Sequence, residues 1–147
     1  MDPTTIIGTL SAAGTIVAGI GNVAHDLSRL RERFQEADKT VGLLLTELFA
    51  IKGALGQVDL WLKHSAKSSL VQEELVGAFE MSIEGCKTAV LLLSDRVAAL
   101  HEAFSRQEHD FRTRAKTVWN ESALKDHQQH LRAQVQALQF LIQTVQL

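Results

Sequence analysis

Nine apolar residues between Val76 and Phe104 recur in alternating steps of three and four: Val76, Phe79, Ile83, Cys86, Val90, Leu93, Val97, Leu100 and Phe104. A helix makes one turn in about 3.6 residues, so this spacing draws one continuous apolar stripe along one side of it. A strand, with a side-chain period of two, would scatter the same residues over both faces. A stripe this long must be covered by other helices, and the chain supplies them. Val41, Leu44, Leu48, Ile51, Leu55, Val58 and Leu62 make a second stripe, and Ile6, Leu10, Ala13, Val17, Ile20, Ala24 and Leu27 a first. Val118, Trp119, Leu124, Leu131, Val135, Leu138, Ile142 and Val145 lie on a last helical segment. Polar interruptions, "KHSAKSS" and "SRQEHDFRTR", separate the segments, and the chain holds a single proline. These features predict an all-α protein: an antiparallel four-helix bundle forming one domain over residues 1–147.

The first segment is the unusual one. Asp2 can cap it, and Pro3 occupies a favoured first helical position. Between Asp2 and Asp26 no charged side chain occurs, and four of the nine glycines fall here: Gly8, Gly14, Gly19 and Gly21. Each costs a helix about 1 kcal/mol relative to alanine, so propensity does not explain the helix. The charged stretch "HDLSRLRERFQEADK" either prolongs it through Leu27, Leu30 and Phe34 or, with a break near Gly21-Asn22, forms an extra short helix. The second helix is expected to stop near Lys63-His64, with Ser68 or Ser69 capping the third. The fourth runs to Leu147 without a stop signal, so the chain is expected to be the amino-terminal part of a longer multidomain protein.

Charge and chemistry narrow the functions. A net charge of −2 gives no basic excess for nucleic acid. A lone Cys86 cannot form an internal disulfide and fits a reducing compartment. The acidic start, Met1-Asp2-Pro3, is unlike a secretory signal, and no arginine precedes Arg29, unlike a mitochondrial presequence. Di-iron bundles need Glu-x-x-His pairs, and none occurs. His127-x-x-His130 would put two imidazoles on one face, but "KDHQQHLRAQ" reads as a solvated stripe, and no metal or cofactor is expected. Cys86 sits within an apolar stripe, as a buried structural thiol does. With no phosphate loop or catalytic triad order, the chain is not expected to be an enzyme.

Two basic clusters, Arg29, Arg31 and Arg33 and then Arg106, Arg112, Arg114 and Lys116, are each diluted by acids. They read as salt-bridged surface, or as contacts to anionic lipid headgroups, where each base contributes about 1 kcal/mol. The uncharged first segment is long enough to cross a bilayer, yet its few large apolar side chains suit it poorly for inserting alone. Its small residues recur four apart (Gly8 and Ala12; Ser11, Thr15 and Gly19; Gly14 and Ala18), a spacing that lets helices approach closely in a membrane or in a soluble core. Both readings stay open, with the core helix ahead.

An uncharged small-residue helix, a charged bridge, "LLLTELFAIKGALGQV", a helix with a central cysteine in "GCKTAVLLLSDRVAAL" and a tryptophan-containing segment ending in "LRAQVQALQFLIQTVQ" together resemble the amino-terminal helical domain of fungal STAND proteins, the HeLo-like group attached to NLR-type receptors and ankyrin-repeat proteins. The resemblance spans nearly the whole chain. It implies a regulated cell-death effector of fungal innate immunity and heterokaryon incompatibility. Such a bundle is quiet in the cytoplasm until an NLR or amyloid-signalling partner oligomerises it, whereupon its first helix enters the plasma membrane. Carried over, the membrane-targeting element lies within residues 3–27, centred on Ile6, Leu10, Gly14, Val17, Gly19 and Ile20, with self-association and anionic lipids as partners. One departure is that no acidic residue lies within this helix, so simple membrane disruption stands beside a pore with an ion-conducting lumen. The competing expectation is a protein-interaction module without membrane activity. Release of the helix would expose its stripe at a cost of several kcal/mol, which a trigger or an oligomer must offset.

Overall fold

The computed structural model describes residues 3–33, 38–66, 73–105 and 121–146. These form four α-helices: α1 (Pro3–Arg33), α2 (Asp38–Ala66), α3 (Glu73–Ser105) and α4 (Glu121–Gln146). The predicted four-helix bundle is present, and no strand occurs among the described residues. α1 runs unbroken through Gly21 and Asn22, so the extra short helix is not found there. Its length, about 46 Å at ~1.5 Å per residue, spans the whole bundle. Pro3 stands at its first position, where the missing N–H costs nothing. α2 ends two residues past His64, with Lys63 and His64 in its last turn, where cations oppose the negative pole of the helix. Lys63 Nζ also pairs with Asp59 Oδ2 at 2.9 Å, one turn back. The expected serine caps at Ser68 and Ser69, and Val118 and Trp119 of the last stripe, lie outside the described residues.

Around the bundle the order is α1, α2, α4, α3, so that α2 and α3, joined by the chain, stand on a diagonal. Three contacts give the directions. Thr9, early in α1, meets Glu80, early in α3, so these neighbours are parallel. Trp61, late in α2, packs against Phe79, early in α3, with ring centroids 5.1 Å apart and planes tilted by 45°, so these two are antiparallel. Arg96 of α3 acts on His127 of α4, while Gln134 of α4 covers Gly85 of α3, so α3 and α4 are antiparallel. Helices consecutive in sequence thus alternate in direction, although the neighbours α1–α3 and α2–α4 run parallel.

The core follows the predicted stripes closely in α2 and α3. All seven α2 positions from Val41 to Leu62 are buried, as are the α3 positions from Val76 to Leu100. In α4, Leu131, Val135, Leu138 and Ile142 are buried and Val145 packs on their edge. α1 departs from expectation. Its buried residues are Ile6, Thr9, Ala13, Ile16, Ile20, Val23, Ala24, Leu27 and Leu30, while Leu10 and Val17 are only half-buried. The stripe starts its alternation with a step of three instead of four. The reason is Thr9, whose hydroxyl lies 3.2 Å from Glu80 Oε1 and can donate to it; a polar residue takes a core position because α3 offers an acceptor.

Candidate membrane-targeting helix and its outward face

The six residues expected to centre the membrane element do not share a face in the bundle. Ile6 and Ile20 are in the core, Leu10, Val17 and Gly19 are half-buried at its edges, and Gly14 points outward. What lies on the far side of α1 is a second stripe at the same spacing: Ile7, Ser11, Gly14, Ala18, Gly21 and His25, all exposed. Its apolar anchor is Ile7, at 65% exposure. From Ile7 to Asn22 this face carries no charge over ~22 Å, and Arg29 lies exposed beyond its end. The small residues Ser11, Gly14 and Ala18, which the sequence marks by their recurrence four apart, fall on this face. The signal was there in the same three-and-four spacing, offset from the core stripe.

The glycines are the informative part. A Cβ placed on Gly8, Gly14, Gly19 or Gly21 would meet nothing within 4 Å beyond the local helix. Close packing inside the bundle therefore does not require them. By contrast, a Cβ on Gly85 would press on the side-chain amide of Gln134. Hydroxyls on this face are locally satisfied where seen: Thr15 Oγ1 donates to the Ser11 carbonyl at 3.0 Å. A hydroxyl bonded back to its own helix costs less to move from water into an apolar setting.

α1 is also unevenly held. Toward its carboxyl end the core face carries Ile20, Val23, Leu27 and Leu30; toward its amino end Thr9 and Ala13 alternate with Ile6 and Ile16. Freeing the segment through Ile20 exposes three large side chains, a cost of about 5–9 kcal/mol as an upper estimate. Only 33% of the most apolar window within Ile6–Glu32 is buried, and the corresponding figure for Lys39–His64 of α2 is 39%. Both helices are long and apolar enough to cross a membrane, a property that core helices of soluble bundles share.

Of the basic residues, Arg29 and Arg31 are exposed on α1. The Arg33 side chain, together with Arg112, Arg114 and Lys116, lies outside what the structure describes. Cys86 is fully buried, and burial pushes its thiol up to about 11, away from nucleophilic chemistry. His127 is half-buried, and His130 is exposed. Burial first, then the positive charges of Arg96 and His130, lower the His127 pKa, partly opposed by Asp126. Among the described residues no three His, Cys, Asp or Glu side chains converge as a metal site needs.

The described residues form an all-helical bundle whose first helix is free of charged side chains through His25. No family model, curated protein or solved structure matches the chain.

Proposed function

We propose that this chain is a membrane-directed effector domain that acts as an assembly of copies, with α1 as the element that engages the bilayer. The observation that carries the reading is the outward face of α1. It combines a charge-free surface with glycines that forgo helix stability and serve no packing need inside the bundle. Small residues at this spacing serve close helix–helix approach in lipid, where packing and not hydrophobicity drives association. The resemblance to HeLo-like domains of fungal STAND receptors supports a regulated cell-death role, quiet in the cytoplasm and active at the plasma membrane once clustered. Arg29, exposed beyond the end of the uncharged face, would meet anionic headgroups in this reading. The second reading, an interaction module without membrane activity, is favoured by the continuity of α1 with the core, where seven of its apolar side chains from Ile6 to Leu30 pack among α2 and α3.

Dye release from acidic-lipid vesicles separates the two. Ala18→Glu and Gly14→Glu each put a carboxylate on the exposed face without touching the core, so helicity and unfolding should stay native-like. Release that rises steeply with protein concentration and falls at least tenfold in both variants supports the effector reading. A folded, artificially clustered protein that releases no dye would move the assignment to the interaction module.

A further inference from the structure

α2 carries an outward face of a different kind from that of α1. Gly42, Thr46, Phe49, Gly53, Gly56 and Leu60 follow one another at helical spacing on the side away from the core. Phe49 is 54% exposed and Leu60 69%. A Cβ on Gly53 or Gly56 would meet nothing within 4 Å, and the Thr46 hydroxyl is bonded back to the Gly42 carbonyl at 2.9 Å. The patch is therefore apolar, without side-chain bulk at its centre and about 27 Å long. The order of its residues is nearly palindromic: a large apolar group, three residues, glycine, two residues, glycine, three residues, a large apolar group. Along one edge stand Lys52, Asp59 and Lys63; Asp59 pairs with Lys63 within the helix at 2.9 Å and lies seven residues from the exposed Lys52.

From this order we propose that the outward face of α2 is a twofold self-association surface, on which a second copy of the chain packs its own α2 antiparallel. A twofold axis near the Gly53–Gly56 midpoint sets Phe49 against the partner copy's Leu60 twice and Gly53 against Gly56 twice. It also brings Lys52 of each copy within side-chain reach of Asp59 of the other, which would then be shared with Lys63 of its own helix. Isologous symmetry requires such self-complementarity of one patch. A parallel pairing would instead leave the Lys52 and Asp59 of the two copies on opposite edges of the seam, where they do not meet. The glycines let the two backbones approach closer than the usual 8–10 Å or so between helix axes, and the large side chains at either end close over the gap. One helix pair is smaller than a standard interface of roughly 1,600 Å², so the dimer should be weak, with a Kd on the order of tens to hundreds of micromolar. The inference stands apart from the membrane reading, since it concerns the folded bundle in water.

Sedimentation equilibrium of the full chain over a wide concentration range tests it. The native chain should pass from monomer to dimer. Leu60→Lys and Gly53→Leu, both at exposed positions, should weaken the dimer at least tenfold while circular dichroism stays unchanged. Lys52→Glu should weaken it about threefold, and adding Asp59→Lys in the same chain should return it toward native affinity. A chain that stays monomeric throughout, or a dimer indifferent to Leu60→Lys and Gly53→Leu, overturns the proposal. A charge reversal that the second substitution does not rescue overturns the antiparallel register. A monomeric chain whose binding to acidic-lipid vesicles is lost in Leu60→Lys would assign the face to lipid instead. Loss of vesicle dye release through Ala18→Glu with dimerisation intact would leave this inference standing on its own.

Discussion

Replacing Gly14 and Gly21 by alanine should make the bundle more stable and the assembled protein less active. Both positions are exposed, and a Cβ there meets nothing within 4 Å, so no steric term opposes the change. Each substitution recovers about 0.8–1.0 kcal/mol of helix propensity, part of it by narrowing the unfolded ensemble. The two sites stand two helical turns apart, about 10 Å, and should be close to additive. The double variant should therefore gain about 1.5–2 kcal/mol, or roughly 3–8 °C in Tm for a chain of this size. Urea unfolding followed by circular dichroism measures the gain as a higher midpoint at unchanged slope. A double variant no more stable than the native chain would refute the reasoning, because some tertiary demand would then have to be holding those positions as glycine. With the gain in hand, vesicle dye release reports what the glycines are for. A stabilised bundle with diminished release ties them to assembly or to release of α1, whereas undiminished release would detach them from it.

Cys86, fully buried with its thiol raised to about 11, should resist a thiol reagent at pH 8 in the folded protein and react at once in urea; the thiolate fraction is on the order of a thousandth even before access is considered. Cys86→Ser should cost about 1–3 kcal/mol by burying a hydroxyl without a prepared partner, read from the shift in urea midpoint. His127 has its folded pKa lowered from 6.5, chiefly by burial and next by Arg96, so between the folded and unfolded values the unfolded chain binds more protons. Its contribution to stability is thus fully present above about 6.5 and is lost as pH falls toward the lowered value; His127→Gln should flatten this acid-side slope, and NMR titration of the Arg96→Gln variant should show the His127 pKa moving up. Gly85→Ala should be close to neutral, because the helix gain is offset by displacing the Gln134 amide, but in a Gln134→Ala background the same change should stabilise by about 1 kcal/mol.

How much was legible beforehand varies by helix, for physical reasons. α2 and α3 carry an unbroken apolar stripe in one phase, so spacing alone places Val41 to Leu62 and Val76 to Leu100 correctly, although Leu43, Phe49, Leu60, Leu91 and Leu92 outside that phase stay exposed. In α1 two phases of the same period were available. Leu10 and Val17 are more apolar than Thr9 and Ala13, so spacing favours their phase; the acceptor that lets Thr9 be buried belongs to Glu80, seventy-one residues away. The small residues of the outward face of α1 are legible in the sequence, but their exposure is not. Periodicity marks which side of a helix is apolar, but the emptiness around Gly14 and Gly21 is a property of the space beside them.

The sequence by itself determined that this protein is a bundle of long helices, because stripe spacing is a local consequence of helical geometry and propensity. It also determined that the first helix is free of charged side chains from Pro3 to His25. Only the tertiary structure decided that α1 stands beside α3 as well as α2, that α2 and α3 face each other across a diagonal, and that the glycines of α1 and α2 look outward into open space. Those outcomes depend on which surfaces cover one another, and no residue carries that information alone.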